Sequence, residues 1–305
     1  MTATTPSATA HNSAHKLFSL GRVSAIAGNT LRDLVRQKVF YFMLVFALVL
    51  IGTSLAMAVL SFQGQLQTVM DVSLGAMSVF TMLLAVLSTA MVLPKDIEDR
   101  TLYTILAKPV ARFEYLLGKL SGVVLMLLIA TLLMTVFFCV VLWFWQGREI
   151  ANISTFAQPH LVDAEVAKVK AGTFTGTLFG GIGVIFLRAV VCSALTLMVS
   201  TFATSWLFTV IVALMMILIG HLVPIARSVW MDPMQAGVDM PWHLSLFLRV
   251  ITVFFPDMQL FNIVDDIAVG THVAAGIFGQ VAALGGGYVA IYVLVAYLFF
   301  AWREL

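Results

Sequence analysis

Stretches of mainly apolar residues alternate with polar segments along this chain, and six of them are long enough to cross a bilayer: 39–60, 72–93, 120–145, 178–203, 206–223 and 273–302. A helix rises ~1.5 Å per residue, so about 20 residues cover a hydrocarbon core of ~30 Å. The pattern predicts six membrane-spanning helices. In the last of them, Gly285, Gly286 and Gly287 mark a point of close packing or bending rather than a ligand loop. Ahead of the first stretch the period changes. Between Lys16 and Lys38, at ~100° per residue, Leu20, Val23, Ala27, Leu31 and Leu34 fall on one face, with Arg22, Asn29, Arg32, Asp33 and Arg36 opposite. This predicts an amphipathic helix lying in the membrane interface, with docking on a soluble partner as the alternative. Residues 1–15 are small, polar and without Lys or Arg, which predicts a disordered tail that is retained rather than cleaved as a secretory signal. Residues 146–177 read as an outer loop. A longer outer segment, 224–272, contains the apolar stretch Leu244 to Phe255, which at ~12 residues is too short to cross and is expected to be interfacial or re-entrant.

Composition strengthens this reading. Of 305 residues, 61% are hydrophobic and 10% charged, against about 25% charged in soluble domains. A soluble chain of this length still needs a polar surface. The fold class expected is an all-α integral membrane protein with an interfacial helix. The formal charge of +2 is too small to suggest a nucleic-acid surface. Cys139 and Cys192 both sit in apolar runs, so neither a disulfide framework nor a metal-binding Cys pair is indicated.

Charge placement sets orientation, because basic loops are retained on the cytoplasmic side. With the N-terminus inside, the inner segments hold Lys16, Arg22, Arg32, Arg36, Lys38, Lys95, Arg100, Lys108, Arg112, Lys119 and Arg303. The outer segments hold only Arg148, Lys168, Lys170, Arg227 and Arg249. Both termini are expected on the cytoplasmic side.

The inner segment 94–119 concentrates charge. Pro94 can open a helix, and Asp96, Glu98 and Asp99 suit its positive end, while Pro109 forces Lys108 out of helical geometry. A short transverse helix from about Lys95 to Ala107 is predicted, carrying Ile97, Leu102, Ile105 and Leu106, of a kind that docks in a groove on another protein.

At Asp96, Thr101, Ile105-Leu106, Lys108-Pro109, Arg112 and Gly118-Lys119, the chain resembles the ABC-2 class of ABC transporter permeases. The resemblance extends to Ser200-Thr201-Phe202, Gly220-His221, Phe255-Pro256-Asp257, Leu260-Phe261-Asn262 and Arg303-Glu304, and is nearest to the branch of multicopper-enzyme and nitrous oxide reductase maturation permeases. It departs from the family pattern at Asp96, where Glu is more usual, and at Arg100, a place often held by Gly. The resemblance implies a permease half-transporter in the cytoplasmic membrane of a prokaryote. It would pair with a second copy or a paralogue and work with separate ATPase subunits, which bind the ATP and Mg. It also implies that Asp96, Glu98, Arg100, Thr101, Leu102, Ile105 and Leu106 contact the ATPase as a coupling helix, and that Arg112 and Lys119 anchor the segment to the membrane surface.

The chain carries no ATPase motif of its own. A phosphate-binding loop needs Gly, four residues and then Gly-Lys-Ser or Gly-Lys-Thr. Here Phe113 stands upstream of Gly118-Lys119 and Leu120 follows it. Neither an HExxH zinc motif nor a GxSxG nucleophile elbow is present, so no catalytic residue is assigned. Arg188 is the one charge inside a predicted span and should face protein or water. It is read as a contact to an anionic substrate or lipid headgroup in a translocation path, or as a snorkelling or dimer-interface residue near the outer half. His221 is read as a hydrogen-bonded packing residue over a metal ligand, the sixteen methionines as gap-fillers over a copper path, and Asp257, Asp265 and Asp266 as a solvated helix start over a cation site. The function expected is that of an exporter subunit. A membrane scaffold without transport is the alternative, and the uniformly apolar spans argue against an ion channel.

Overall fold

The computed structural model describes residues 19–60, 65–98, 111–156, 162–231, 241–262 and 275–302, with only the backbone at Trp230 and Ala275. These residues form helices α1 (Leu20–Val35), α2 (Lys38–Leu60), α3 (Gln65–Glu98), α4 (Arg112–Phe156), α5 (Val162–Thr173), α6 (Gly176–Phe202), α7 (Trp206–Met231), α8 (Trp242–Phe254) and α9 (Ala275–Trp302), with a 3-10 turn at Met258–Phe261. No strand occurs among the described residues.

Helices continue past the ends that the apolar pattern suggested. α4 has 45 residues and is about 68 Å long, so it stands well clear of a ~30 Å hydrocarbon layer. Most of segment 146–177, expected as a loop, is helical: α4 runs on to Phe156, and Val162–Thr173 forms α5. Asp163 and Glu165 in the first turn of α5 and Lys170 in its last suit the helix dipole. Pro94 does not open a helix. It lies inside α3, which runs unbroken to Glu98. A proline removes one backbone donor, and a long, well-packed helix absorbs that loss. Pro224 is likewise interior to α7.

Seven helical stretches among the described residues are long and apolar enough to cross a membrane, one more than the six expected. The additional stretch is Trp242–Phe261. It is not one helix: α8 contributes 13 residues, the chain extends at Phe255, and the 3-10 turn follows, with the Asp257 carboxylate accepting the Gln259 N–H.

α6 is the buried centre of the bundle, packed against α3, α4, α7 and α9. Its small residues allow close approach. A side chain at Gly180 would meet the Phe278 ring at 2.7 Å, and one at Gly285 of α9 would meet Leu187 at 2.8 Å, so α6 and α9 each use a glycine to seat the other. Hydroxyls buried in the helices bond backwards to their own backbone, as Thr81 does to Met77, Thr89 to Ala85 and Thr196 to Cys192. The outer surface is apolar. On α7, Leu207, Ile211, Met215, Leu218, Leu222 and Ile225 recur at helical spacing, and each is more than half exposed. Such a stripe belongs in lipid rather than water, and the chain is a multi-pass, all-helical membrane protein.

α1 forms where the amphipathic pattern placed it and packs across α4. Ala27, Thr30 and Leu34 are buried in that contact, while Leu20 at its start stays exposed. The crossing is close because Gly118 and Gly122 lie beneath it. A Cβ at Gly122 would stand 2.6 Å from Thr30 and 2.8 Å from the Ala27 carbonyl.

Candidate functional site

Two polar centres lie in this apolar bundle. The first is at the end of the bundle that carries α1, and the opening turns of α4 build it. Starting at Arg112, α4 presents Arg112, Glu114, Tyr115 and Lys119 to different neighbours. The Glu114 carboxylate is fully buried, accepts from the Ser19 backbone N–H and pairs with Arg22 at 2.8 Å, which ties α4 to the start of α1. Lys119 Nζ meets Asp96 Oδ2 at 2.6 Å, and the Tyr115 hydroxyl donates to the same carboxylate oxygen, which ties α4 to the last turn of α3. Arg112 Nη1 donates to the carbonyls of Phe300 at 3.0 Å and Ala301 at 2.7 Å, closing the C-terminal end of α9. The Tyr115 ring stacks on Phe300 at 5.8 Å, and Lys119 lies over Tyr115 at 5.6 Å. Four helices are therefore locked by charge-assisted bonds made from about two turns of α4. Beside this node a cavity of about 290 Å³ is lined by Asn29, Asp33, Gln37, Lys95, Asp96 and Lys119.

Of the residues expected in a coupling segment, Arg100, Thr101, Leu102, Ile105 and Leu106 lie outside the described residues, as does most of the predicted transverse helix. Asp96 and Glu98 are the end of α3, with Asp96 turned towards α4. Arg112 and Lys119, expected at the membrane surface, point inward, and Lys119 is 6% exposed. The segment between α3 and α4 is thus clamped at both its ends.

The second centre surrounds Arg188, about 18 Å along α6 from Gly176 at ~1.5 Å per residue. The guanidinium donates to Ser78 Oγ on α3 at 3.0 Å and meets His221 Nε2 on α7 at 2.7 Å. His221 Nδ1 lies 2.9 Å from the Ile217 carbonyl. A carbonyl only accepts, so Nδ1 carries the proton and Nε2 accepts from Arg188, which makes this histidine the neutral tautomer. The 3-10 turn reaches in from beyond α8 and completes the centre. Its Pro256 carbonyl and Met258 side chain pack on Gly220, where a Cβ would stand 2.7 Å from that carbonyl. Arg188, His221, Met258, Gln259 and Asn262 enclose a cavity of about 340 Å³. Asp257 is engaged by Arg227 at 3.4 Å, and Asp265 and Asp266 lie outside the described residues.

Cys139 on α4 and Cys192 on α6 are free thiols. Among the described residues, no three His, Cys, Asp or Glu side chains converge in a way that could hold a metal ion. Sequence reasoning missed Glu114, Tyr115, Ser19 and Ser78. The spacing Gly118-Lys-Leu-Ser-Gly122 was a legible signal for the α1 crossing, since small residues one turn apart admit a second helix. The Arg22–Glu114 pair left no local trace, being 92 residues apart in sequence. No protein-family model and no curated protein matches this chain.

Proposed function

We propose that this chain is the membrane-spanning subunit of an ABC-type exporter, driven by separate ATPase subunits that bind ATP and Mg. The observation that carries the reading is the charge-locked node at the start of α4. A force on segment 99–110 meets Asp96–Lys119 on one side and Arg112 and Glu114 on the other, so α1, α3, α4 and α9 receive it together. Bonded, buried networks of this kind move as units rather than yielding locally. The resemblance to ABC-2 permeases implies ATPase contacts for Glu98, Arg100, Thr101, Leu102, Ile105 and Leu106, whereas Asp96, which it implies among them, is turned towards α4 and serves the node instead.

In this reading six helices cross the membrane and Trp242–Phe261 enters and returns. α8 is about 20 Å long, short of the ~30 Å needed, and its extended break at Phe255 turns the chain back towards α7. The basic residues near α1 and the α3–α4 segment then face the cytoplasm with both termini, in the inner membrane of a prokaryote. Two copies, or one copy and a paralogue, form the complete pathway.

The test is co-purification of a nucleotide-binding ATPase subunit with this chain, followed by ATP hydrolysis in lipid discs. Hydrolysis should depend on this chain and should become uncoupled from it in the double variant Leu102→Asp, Leu106→Asp. Unchanged hydrolysis and unchanged complex recovery in that variant would overturn the coupling role, and the absence of any bound ATPase would leave a membrane scaffold.

A further inference from the structure

From the surroundings of Arg188 we infer that the cavity between α6, α7 and the 3-10 turn is a binding site for one oxyanion group: a phosphate, sulfate or carboxylate carried by a lipid headgroup or by a small soluble anion. Arg188 is 9% exposed, and both partners the structure gives its guanidinium, Ser78 Oγ and neutral His221, carry no charge. Its Nε–H has no acceptor among the described residues. A guanidinium offers five N–H donors in a planar fork that fits an oxyanion in bidentate fashion, so donors remain after Ser78 and His221 are served. His221 is held by the Ile217 carbonyl with its lone pair towards Arg188, which steadies the guanidinium without neutralising it.

The cavity of about 340 Å³ reaches this cation from the side of Gln259 and Asn262, both exposed, and the Gln259 amide is able to donate to an anion's outer oxygens. Among the described residues no carboxylate pairs with Arg188, and Asp257 on the same turn is committed to Arg227 and to the Gln259 N–H. A cation within the span of an apolar helix, bonded only to neutral groups and open to a polar-walled cavity, is the arrangement that selects negative charge. The inference deepens the transport reading by naming the chemical class of what enters the bundle. It concerns this chain alone and is measured without any ATPase, so its failure and that of the transport reading are told apart.

The experiment uses the full chain purified in a neutral detergent. Equilibrium binding of radiolabelled inorganic sulfate is measured against chloride, and retention of phosphatidylglycerol against phosphatidylcholine is counted by native mass spectrometry. The wild type should hold about one equivalent of at least one anionic probe. Arg188→Gln should weaken that binding by about tenfold or more, the effect of losing a charged hydrogen-bonding partner. Gln259→Glu changes an exposed side chain on the cavity wall and should suppress binding by supplying a competing carboxylate, so it serves if Arg188→Gln does not fold. Sulfate binding assigns the site to a soluble anion, and retention of phosphatidylglycerol alone assigns it to a headgroup. Wild-type binding no stronger than to the chloride and phosphatidylcholine controls overturns the inference, as does a folded Gln259→Glu variant that binds like the wild type.

Discussion

The node at the start of α4 and the centre around Arg188 both bury positive charge in an apolar bundle, yet they treat it in opposite ways. Lys119 meets a carboxylate, Arg22 meets a carboxylate, and Arg112 meets the carbonyls that end α9. Arg188 meets a hydroxyl and a neutral imidazole. The first arrangement completes its electrostatics within the chain and so resists deformation. The second leaves net charge facing a cavity, at a cost of about 2.5–3.5 kcal/mol for an arginine at a helix centre on the insertion scale. Closed charge holds helices together, and open charge waits for a partner.

Substitution separates the two. Lys119→Met takes the cation from the Asp96 carboxylate in a site only 16% exposed, leaving the Tyr115 hydroxyl still donating to it, and removing one member of a buried pair is expected to destabilise by about 3–5 kcal/mol. A large fall in the detergent melting temperature checks this, and a melting curve like the wild type's would show that the node is not a lock. Gly122→Val tests the same region through packing alone. Its side chain would press on Thr30 and on the Ala27 carbonyl, and overpacking of this kind costs about 1–3 kcal/mol. Disulfide trapping between cysteines placed on α1 and α4 should lose efficiency in that variant.

Arg188→Met should go the other way. Replacing a buried cation that has no carboxylate partner among the described residues by an apolar side chain of similar length removes the cost of burying its charge, which offsets the lost bonds to Ser78 and His221, so the change is expected to lie between neutral and about 2 kcal/mol stabilising in the same melting assay. A loss as large as that of Lys119→Met would mean that Arg188 is structurally paired and would erase the contrast. A loss smaller than that of Lys119→Met is expected at Arg227→Met. Its pair with Asp257 is 3.4 Å long with the arginine 36% exposed, but the carboxylate is only 4% exposed and would keep the Gln259 N–H alone, so about 1–3 kcal/mol is expected in the same assay.

Much of this was legible residue by residue. Each of the six apolar stretches lies in a helix where it is described, apart from the extended cap Ala203, α1 lies within the amphipathic stretch, and Gly285 is a point of close packing. The weaker readings failed for physical reasons. Pro94 looked like a helix start because proline suits a first turn, but α3 was already packed on α6 and α4 and carried the proline within it. The polar residues 146–177 looked like a loop, yet polarity forbids burial and not helicity, so they extend the helices beyond the apolar layer. His221 was read as a hydrogen-bonded packing residue, and its partners, which no local pattern named, are Arg188 on another helix and the Ile217 carbonyl one turn back.

The sequence by itself determined the membrane class, the rough position of each apolar helix and the presence of one charge inside a span, because length, periodicity and hydropathy are properties of neighbouring residues. Only the tertiary structure decided which charges are closed and which is open. Glu114 finds Arg22 from 92 positions away, Arg188 finds Ser78 from 110, and Arg112 reaches the end of α9 from 189. Electrostatic pairing depends on distance in space, and no local pattern along a chain encodes it.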